Sequence, residues 1–589
     1  MPRRPVDSRK QARSPPPQSW SGLVESYAPA EGAEGWLLCG SAAQPWPARI
    51  EAVEAVFEHG VLTGTLLSDF IADEHSQGQR FIAHFQAPRP PVGPLRQLAA
   101  GLGLRLQAQG ARLEDGQAAG TRGRAMLHAA AKGSDIANTI RAALPIPAYT
   151  GHDSLTPLGL PLRIVIDAVI RIPPAGIAIE GGLVDPMRLV TRLALRQGTT
   201  CQELERDHWA LMPRPDLAPP GSAEDAIRHG GTTGFLAYAK GPFPAAAPPW
   251  LEVETRDGSI AHLPLPRPAE GAGLAVIEQI LALPRPPLAR IAAVLAHTIG
   301  PITRGLNRAR LALRPKPQRQ DFGPLPAAPQ RALIIPLHGR LDFMALQLAL
   351  FSARPDPGCE ILYILDDPRL AEEAERMAQS CWMRFRLPFS LLDLGAHLGY
   401  APANNAGLAA ARAAHLCLLN ADVFPLQGEG MAWLPRLCAP LSKPSVGAVG
   451  ATLLFEDGTL QHAGMEYRRV AGLPPPWPFP IHPGKGTKPS PARPAAREVS
   501  ALTGACLAIR RADLQALGGL DEDCIIADFE DAALCEALRA RGLRIMLQPD
   551  LVLYHLERQT PGSHAPWRAG ATLVNASHFA AHWNPDAQA

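Results

Sequence analysis

The sequence predicts an α/β domain in the C-terminal half, with a mostly parallel sheet and helices on both faces, preceded by one or two small β-sandwich-like domains. Short apolar runs separated by glycine and proline dominate residues 21–265, a pattern typical of antiparallel strands. From about residue 331, apolar runs instead alternate with helix-length segments, which favours a parallel sheet. The chain has 589 residues, of which 46% are hydrophobic, so a wholly disordered protein is excluded.

Two clusters of predicted strands follow a basic tail. Residues 1–20 carry five basic side chains and no apolar stretch, so they predict a disordered tail rather than a secretory signal. The first cluster contains strand-like runs at 49–57 and 61–67 with a glycine turn between them. The second repeats this arrangement at 162–171 and 176–184. The repetition raises the hypothesis of an internal duplication.

Strand and helix patterns alternate after a proline-rich linker. Apolar residues 332–337 precede a helix-like segment at 341–352, and residues 360–365 precede another at 371–381. A further buried strand is predicted at 416–419. The predicted boundaries are a disordered basic tail (1–20), a β-rich domain (21–110), a partly helical connector (111–150), a second β-rich domain (151–265), a helical segment with the linker (266–328) and the α/β domain (329–589).

Composition limits the classes of function. The net charge of +2 at pH 7 provides no overall field for nucleic acid or an anionic membrane. The nine cysteines are scattered, and their odd number without a CxxC pair predicts neither a disulfide framework nor a zinc cluster. No apolar run reaches the ~18 residues of a membrane helix. We therefore expect a cytoplasmic protein with no nucleic-acid partner and no transmembrane segment.

Polar residues lie where ligands bind in an open α/β sheet, beyond the carboxyl ends of the strands. Asp366-Asp367 follows one predicted strand, Asn420-Ala-Asp422 follows another and His555 follows a third, while Glu530-Asp531 opens a helix. Carboxylates in such positions can hold Mg²⁺ or Mn²⁺ against a diphosphate, and imidazole is an acceptable ligand for Mn²⁺. A further carboxylate could accept a proton from an attacking hydroxyl.

Each of these groups also has a structural interpretation. Asp366-Asp367 before a proline can cap a helix, and Asn420-Ala-Asp422 has the composition of a turn. Glu530-Asp531 suits the first turn of a helix because of the helix dipole, and a histidine after a strand is often an ordinary one. Their order within one α/β region favours the functional interpretation.

Ten stretches in a fixed order carry a resemblance to a known family. They are Ile334–Arg340, Ile361–Asp367, Gly399–Gly407, Leu418–Val423, Val446–Gly450, Asp457–Gly464, Thr503–Arg511, Gly518–Asp521, Asp528–Cys535 and Leu553–Gln559. With these, residues 329 to 585 resemble the family 2 glycosyltransferases, which have the Rossmann-like GT-A fold. The resemblance implies an inverting transfer of a sugar from a nucleotide-diphosphate donor to an acceptor hydroxyl.

The resemblance also implies roles for individual residues. Asp422 and His555 would hold Mn²⁺ or Mg²⁺, with Asn420-Ala-Asp422 in the place of the family's DxD motif. Asp531, paired with Glu530, would be the catalytic base. Donor-binding positions would be Pro336, Arg340, Asp366, Asp367, Asn405, Asn420, Asp422 and Gly504.

The sequence departs from the family pattern at three places. Asn420 replaces the first acidic residue of DxD, and His397 stands where asparagine is usual. Ala532 and Ala533 follow the Glu530-Asp531 pair, where the family usually has a further aspartate. The last departure motivates an alternative to the catalytic function.

Two functions therefore stay open. The first is a bacterial-type glycosyltransferase acting on a glycan or lipid-linked acceptor in surface polysaccharide biosynthesis, with peripheral contact at the inner face of a membrane through such an acceptor. The alternative is a catalytically silent sugar-nucleotide or glycan-binding protein, or a scaffold of a glycan-assembly complex. The N-terminal half is faintly similar to modules fused to polysaccharide-building transferases, and it would bind an acceptor glycan or a partner, or serve as a spacer.

Overall fold

The structure is a computed structural model, and the predicted tail at 1–20 lies outside the residues that it describes. The described residues are 21–30, 35–46, 49–72, 79–87, 93–100, 104–129, 135–217, 232–244, 247–271, 273–469, 477–489, 495–557 and 565–583. Among their helices, none has the length and apolarity needed to cross a bilayer.

The first β-rich region is a closed barrel rather than the expected sandwich. Its strands are β1 (Ser21–Pro29), β2 (Gly35–Ala42), β3 (Arg49–Phe57), β4 (Gly60–Ala72), β5 (Gln79–Gln86), β6 (Leu95–Ala99), β7 (Arg105–Gln107) and the short β8 (Arg112–Leu113). The order β2-β5-β4-β3-β6-β7-β1 closes because β1 also pairs with β2. Closure removes the exposed edges that a small open sheet would leave. Helices α1 (Gly116–Ala129) and α2 (Asp135–Ala143) pack outside it.

The second β-rich region is a sandwich. One sheet contains β9 (Arg163–Ile172), β10 (Gly176–Val184), β13 (Ala210–Met212), β14 (Thr232–Ala239) and β17 (Ala269–Glu270). The other contains β11 (Val190–Gln197), β12 (Thr200–Glu203), β15 (Trp250–Thr255) and β16 (Ile260–Pro264). Residues of both sheets share one apolar core, including Ile179, Leu195 and Val253. This is the face-to-face packing of a β-sandwich.

A helical layer joins the sandwich to the C-terminal domain. It comprises α3 (Leu274–Leu281), α4 (Leu288–Val294), a π-helical turn (Leu295–Ile299) and α5 (Gly300–Ala312). Ile172 of the sandwich, Ile302 of α5 and Phe579 of the C-terminal helix belong to one buried cluster. The predicted linker after this layer contains β18 (Gln318–Phe322), which pairs with the edge of the C-terminal sheet.

The C-terminal domain is built on a mixed sheet. The remaining strands are β19 (Arg331–Leu337), β20 (Cys359–Leu365), β21 (Phe389–Asp393), β22 (His415–Leu419), β23 (Val423–Pro425), β24 (Val446–Leu454), β25 (Leu460–His462), β26 (Glu466–Arg468), β27 (Phe479–Ile481), β28 (Arg497–Glu498), β29 (Cys506–Arg510) and β30 (Arg544–His555). The main order is β18-β21-β20-β19-β22-β29-β24-β30-β23. In that path β21, β20, β19, β22, β24 and β30 run in one direction.

Helices cover both faces of this sheet. They are α6 (Asp342–Ser352), α7 (Ala371–Phe385), α8 (Tyr400–Ala410), α9 (Trp433–Cys438), α10 (Arg511–Ala516), α11 (Glu530–Arg539) and α12 (Pro566–His582). Alternation along β19 explains the two cores, since Leu333 and Ile335 face α6 and α7 while Ala332 and Ile334 face α8. Short 3₁₀ turns occupy Thr156–Leu158, Arg206–His208, Pro215–Leu217, Pro368–Leu370 and Ala439–Ser442.

Residues 477–489 form a loop between β26 and β28. It contains β27, which pairs with β26. Nδ1 of His482 lies 2.9 Å from Nδ1 of His462, and Lys485 forms a 2.7 Å ion pair with Glu557. This part of the loop is therefore anchored beside the carboxyl end of β30.

Candidate active site at the carboxyl edge of the C-terminal sheet

A cleft of about 510 Å³ lies at the carboxyl ends of β19, β20, β22 and β30. These ends meet at one edge because the four strands run in the same direction. The opposite wall is formed by residues 525–528 and the start of α12. Six of the residues singled out in the sequence line it, namely Pro336, Arg340, Asp366, Asn420, Asp422 and His555.

Asp366 is a buried carboxylate held by the loop that precedes α8. Its oxygens accept hydrogen bonds from the backbone N–H of Leu398 at 2.5 Å and of Gly399 at 2.9 Å. Nδ1 of His397 lies 2.9 Å from the same carboxylate. Three donors around one carboxylate fix its position.

Two stacked imidazoles flank Asp366. The rings of His338 and His397 lie 4.1 Å apart at an angle of 24°, and Nδ1 of each is 3.1 Å from the Asp366 carbonyl oxygen. Because a carbonyl oxygen only accepts, both Nδ1 atoms donate to it. Burial and the neighbouring His397 lower the pKa of His338. His338 was missed in the sequence, although it directly follows the end of β19.

Asp367 does not line the cleft. It caps the 3₁₀ turn Pro368–Leu370 and forms a 2.7 Å ion pair with Arg369. The hydrogen bonds from Arg369 lower the pKa of Asp367 to about 2. Its Oδ2 also accepts the Gly339 N–H at 3.2 Å, so it supports the loop after β19 from behind.

Asp422 and His555 are brought together by strand pairing. β23 runs antiparallel to β30 with Val423 opposite His555, which places Asp422 beside the end of β30. Oδ1 of Asp422 lies 3.4 Å from Nε2 of His555. Among the described residues, Nδ1 of the buried His555 has no hydrogen-bond partner. A carboxylate oxygen with an imidazole nitrogen is a donor set that fits Mn²⁺ and leaves further positions for diphosphate and water oxygens.

Glu530 and Asp531 open α11 next to the cleft without lining it. Oδ2 of Asp531 accepts the Gly504 N–H at 3.0 Å, and Oδ1 accepts the Ala532 N–H at 2.7 Å. Burial raises the pKa of Asp531 to about 6, with a further contribution from the charge of Asp528. Burial, followed by the charge of Asp531, raises the pKa of Glu530 well above its usual value. Asp531 is therefore poised to exchange a proton near neutral pH.

Gly504 connects Asp531 to the cleft wall. Tyr400, which lines the cleft, donates its hydroxyl to the Gly504 carbonyl at 2.8 Å. A Cβ atom at Gly504 would lie 2.7 Å from that hydroxyl oxygen. A small residue is thus required here to admit Tyr400.

Three strained residues precede α11 on the cleft wall. Ile526, Asp528 and Phe529 have φ angles of 65°, 82° and 76°, which are uncommon for residues with side chains. The buried Asn575 holds this turn, since its amide bonds the N–H of Ile525 and the carbonyls of Ile525, Ala527 and Asp528. Strained backbone conformations that surrounding contacts hold in place are common at functional sites. Asp528 lines the cleft and was missed, because its position depends on this turn.

Asn405 lies elsewhere. Its Oδ1 accepts the Leu520 N–H at 2.8 Å, and its Nδ2 donates to the Leu520 carbonyl at 3.0 Å. Arg340, in contrast, lies in the cleft, where it pairs with Asp342 at 2.6 Å and covers the ring of Phe343. The structure thus gives Asn405 a part in holding the loop around Leu520, and contact between Asn405 and a donor stays a prediction.

Comparison with known proteins finds distant and partial relatives, and no family model matches the chain. The chain is 30% identical over 242 residues to an uncharacterized protein, y4gI, of Sinorhizobium fredii, covering 41% of this chain and 26% of that protein. It is 30% identical over 240 residues to the O-antigen biosynthesis protein RfbC of Myxococcus xanthus, covering 40% and 18%. The chain thus spans about a quarter or less of the length of these curated relatives.

Solved structures with partial similarity include two glycosyltransferases. One is GalNAc-T7 with UDP, GalNAc and Mn²⁺, at 13% identity and a TM-score of 0.32, covering 42% of this chain and 48% of that one. The other is the mannosyltransferase PcManGT of Pyrobaculum calidifontis with GDP-Man and Mn²⁺, at 16% identity and a TM-score of 0.29, covering 53% and 90%. Scores this low support no functional assignment by themselves.

Proposed function

We propose that the C-terminal domain is an inverting, metal-dependent glycosyltransferase with the GT-A fold of family 2. It transfers a sugar from a nucleotide-diphosphate donor to a glycan or lipid-linked acceptor in surface polysaccharide biosynthesis. The observation that carries the proposal is the approach of Asp422 and His555 to 3.4 Å in a cleft that also contains the fixed carboxylate of Asp366. The similarity to an O-antigen biosynthesis protein points to the same class of product.

The proposed metal ligands are Asp422 and His555. A bound Mn²⁺ or Mg²⁺ would offset the negative charge that develops on the diphosphate leaving group, an effect of several kcal/mol. His338, Asp366 and His397 also offer donor atoms within 4.8 Å of one another. The Asp366 carboxylate of that group already accepts three hydrogen bonds, from the N–H groups of Leu398 and Gly399 and from Nδ1 of His397, so we assign the group to positioning the nucleotide rather than to the metal.

Asp531 is the proposed base. Inversion in one displacement requires a group that takes the acceptor proton on the face opposite the leaving group. With a pKa of about 6, most Asp531 carboxyl groups are ionised at pH 7. This pKa is also close enough to the working pH for efficient proton transfer. Hydrogen bonds from two backbone N–H groups hold the orientation of Asp531.

The alanines after Asp531 bear on the catalytically silent alternative. Ala532 and Ala533 are buried in the apolar cluster shared by the helical layer and α12. Their side chains pack in that cluster, whereas Asp531 reaches the cleft wall through the Gly504 N–H and Tyr400. The departure from the family pattern therefore removes no group from the proposed reaction centre.

The test is donor turnover by the full chain. The protein with Mn²⁺ is incubated with UDP-, dTDP- and GDP-sugars, and release of the nucleoside diphosphate is measured with and without glycan extracts. We expect release from one nucleotide class, lost in Asp531→Asn with nucleotide affinity retained within about twofold. Binding of a nucleotide without any release in the wild type would favour the silent binding protein instead.

A further inference from the structure

A second cavity, of about 720 Å³, lies more than one turn of helix away from the cleft. Its walls come from the β-sandwich, the helical layer and the last turns of α12. Basic side chains dominate its polar lining, namely Lys240, Arg304, Arg308, His208, His297, His578 and His582. Nothing in the sequence pattern singled out these residues, because they come together only when the three regions pack.

Arg304 is the unusual member of this lining. Among the residues that the structure describes, its guanidinium makes no hydrogen bond and no ion pair, and its Nη1 is buried. The side chain folds back over Gly300, where a Cβ atom would lie only 2.9 Å from Nη1. The charges of Asp523 and Asp521 act on Arg304 from nearby, but Asp523 pairs with Arg308 and Asp521 with His578. A partly buried cation without a counter-ion in direct contact lowers the stability of a fold. This arrangement of Arg304 fits a partner that is supplied from outside the chain.

Most charged side chains near Arg304 already have a partner of opposite charge within the chain. Arg308 pairs with Asp523, His578 lies 2.9 Å from Asp521, and His208 lies 3.5 Å from Glu205. Of the acidic residues in the wall, Glu203 pairs with Arg192 at 3.1 Å. The cavity thus keeps an excess of positive charge at Arg304, with the exposed Lys240 at its wall.

We propose that this cavity binds the oxyanion group, a phosphate or a carboxylate, of a small organic ligand through Arg304. The planar fork of an arginine matches both groups through two parallel hydrogen bonds. The volume falls within the range of small-molecule sites and exceeds what a bare inorganic ion needs. Trp209, Tyr238 and the Pro173-Pro174 pair supply apolar wall for the rest of the ligand.

The cavity is separate from the donor cleft, although α12 contributes to both. Thr572 lines the cleft, whereas His578 and His582, six and ten residues further along the helix, line the cavity. At 1.5 Å per residue these separations are about 9 and 15 Å. The proposal does not rest on the transferase assignment, and it gives the sandwich a share in a ligand site.

Calorimetric titration of the full chain tests the proposal with three probes: inorganic phosphate, glucose 6-phosphate and glucuronate. We expect glucose 6-phosphate or glucuronate to bind, and the tighter of the two identifies the oxyanion. Arg304→Gln should weaken this binding by at least about tenfold, which corresponds to ~1.4 kcal/mol. Arg285→Gln, an exposed arginine outside the cavity, is the matched control and should bind like the wild type.

Two further variants separate ligand binding from folding and from the donor cleft. Arg304→Gln removes an unpaired cation, so its melting temperature without ligand should be equal to or above that of the wild type. If the melting temperature of Arg304→Gln is lower, Arg304→Lys is used for the test instead. This variant should bind about three- to tenfold more weakly than the wild type, because lysine keeps the charge but lacks the two parallel donors of the guanidinium. Arg568→Gln alters the donor cleft and should leave this binding unchanged.

Three results would overturn the proposal. The first is a folded wild type that binds none of the probes. The second is equal binding by the wild type and by Arg304→Gln. The third is binding that is lost in Arg568→Gln and kept in Arg304→Gln, which would place the anion in the donor cleft.

Discussion

The protonation of Asp531 connects the start of α11 to the pH dependence of the proposed reaction. Its pKa is raised to about 6, so the carboxylate needed as a base is lost as the pH falls through that value. We expect kcat/KM to decline below about pH 6 and to be level just above it. The pH–rate profile of the wild type measures this directly, and a profile that is flat from pH 5 to 8 would contradict the role.

Substitution of Asp531 tests the same group by another route. Asp531→Asn keeps the shape and the acceptor oxygen but cannot take a proton, so kcat should fall by about 10²- to 10⁴-fold with little change in the donor KM. Asp457→Asn, at an exposed turn away from the cleft, is the matched control. Equal loss in both variants would indicate a general structural effect rather than loss of a base.

Asp366 should contribute to stability as well as to nucleotide binding. In Asp366→Asn, only the amide oxygen can accept a hydrogen bond, and it carries no charge. The N–H groups of Leu398 and Gly399 therefore no longer share a charged acceptor. We expect the free energy of unfolding to fall by about 1.5–3 kcal/mol. Asp393→Asn, which accepts one exposed N–H from Gly395, should lose less. Denaturant unfolding of both variants makes the comparison, and an equal loss would contradict the expectation.

The turn before α11 is the element that sets the cleft wall. Asn575→Ala removes four hydrogen bonds from the buried amide to Ile525, Ala527 and Asp528 and leaves those groups without a partner. We expect a loss of about 3 kcal/mol in the free energy of unfolding and faster hydrogen exchange at 525–529. Ser577→Ala, half-exposed on the same helix, should change neither quantity. Unaltered exchange at 525–529 in Asn575→Ala would show that other contacts hold the turn.

Local sequence patterns predicted the positions of single strands better than they predicted which strands pair with each other. The apolar runs 332–337, 360–365 and 416–419 correspond closely to β19, β20 and β22, because each is bounded by polar residues and buried on both faces. The barrel was missed because alternation along β1 to β7 is the same in a sandwich, and closure depends on β1 meeting both β2 and β7. Pairing between distant segments leaves no local signal.

In the candidate site too, residues placed by local sequence were predicted and residues placed by distant contacts were not. Asp366, Asn420 and Asp422 could be placed from strand ends, where local sequence and sheet direction suffice. His338 beside His397 and Asp528 on its strained turn could not, since their positions depend on contacts between distant loops. The cavity around Arg304 could not be predicted either, because its lining comes from the sandwich, the helical layer and α12.

The architecture as a whole predicts which parts of the chain are needed by the C-terminal domain. The buried cluster around Ile172, Ile302 and Phe579 includes Phe529 and Ala532, so the sandwich and helical layer support the start of α11. A 320–589 fragment should therefore unfold at a clearly lower temperature than the full chain and lose activity. A 151–589 fragment, which lacks only the barrel and connector, should keep nucleotide binding. Thermal unfolding and turnover of both fragments decide this, and a fully active 320–589 fragment would contradict it.

The most direct measurement is calorimetric titration of UDP, dTDP and GDP, each with and without Mn²⁺. It is made on the wild type, Asp422→Asn, His555→Gln and the Asp457→Asn control. We expect Mn²⁺-dependent binding of one nucleotide, weakened by at least about tenfold in Asp422→Asn and His555→Gln and unchanged in the control. Absence of nucleotide binding by the folded wild type, or binding that is indifferent to Mn²⁺ and to Asp422, would contradict this expectation.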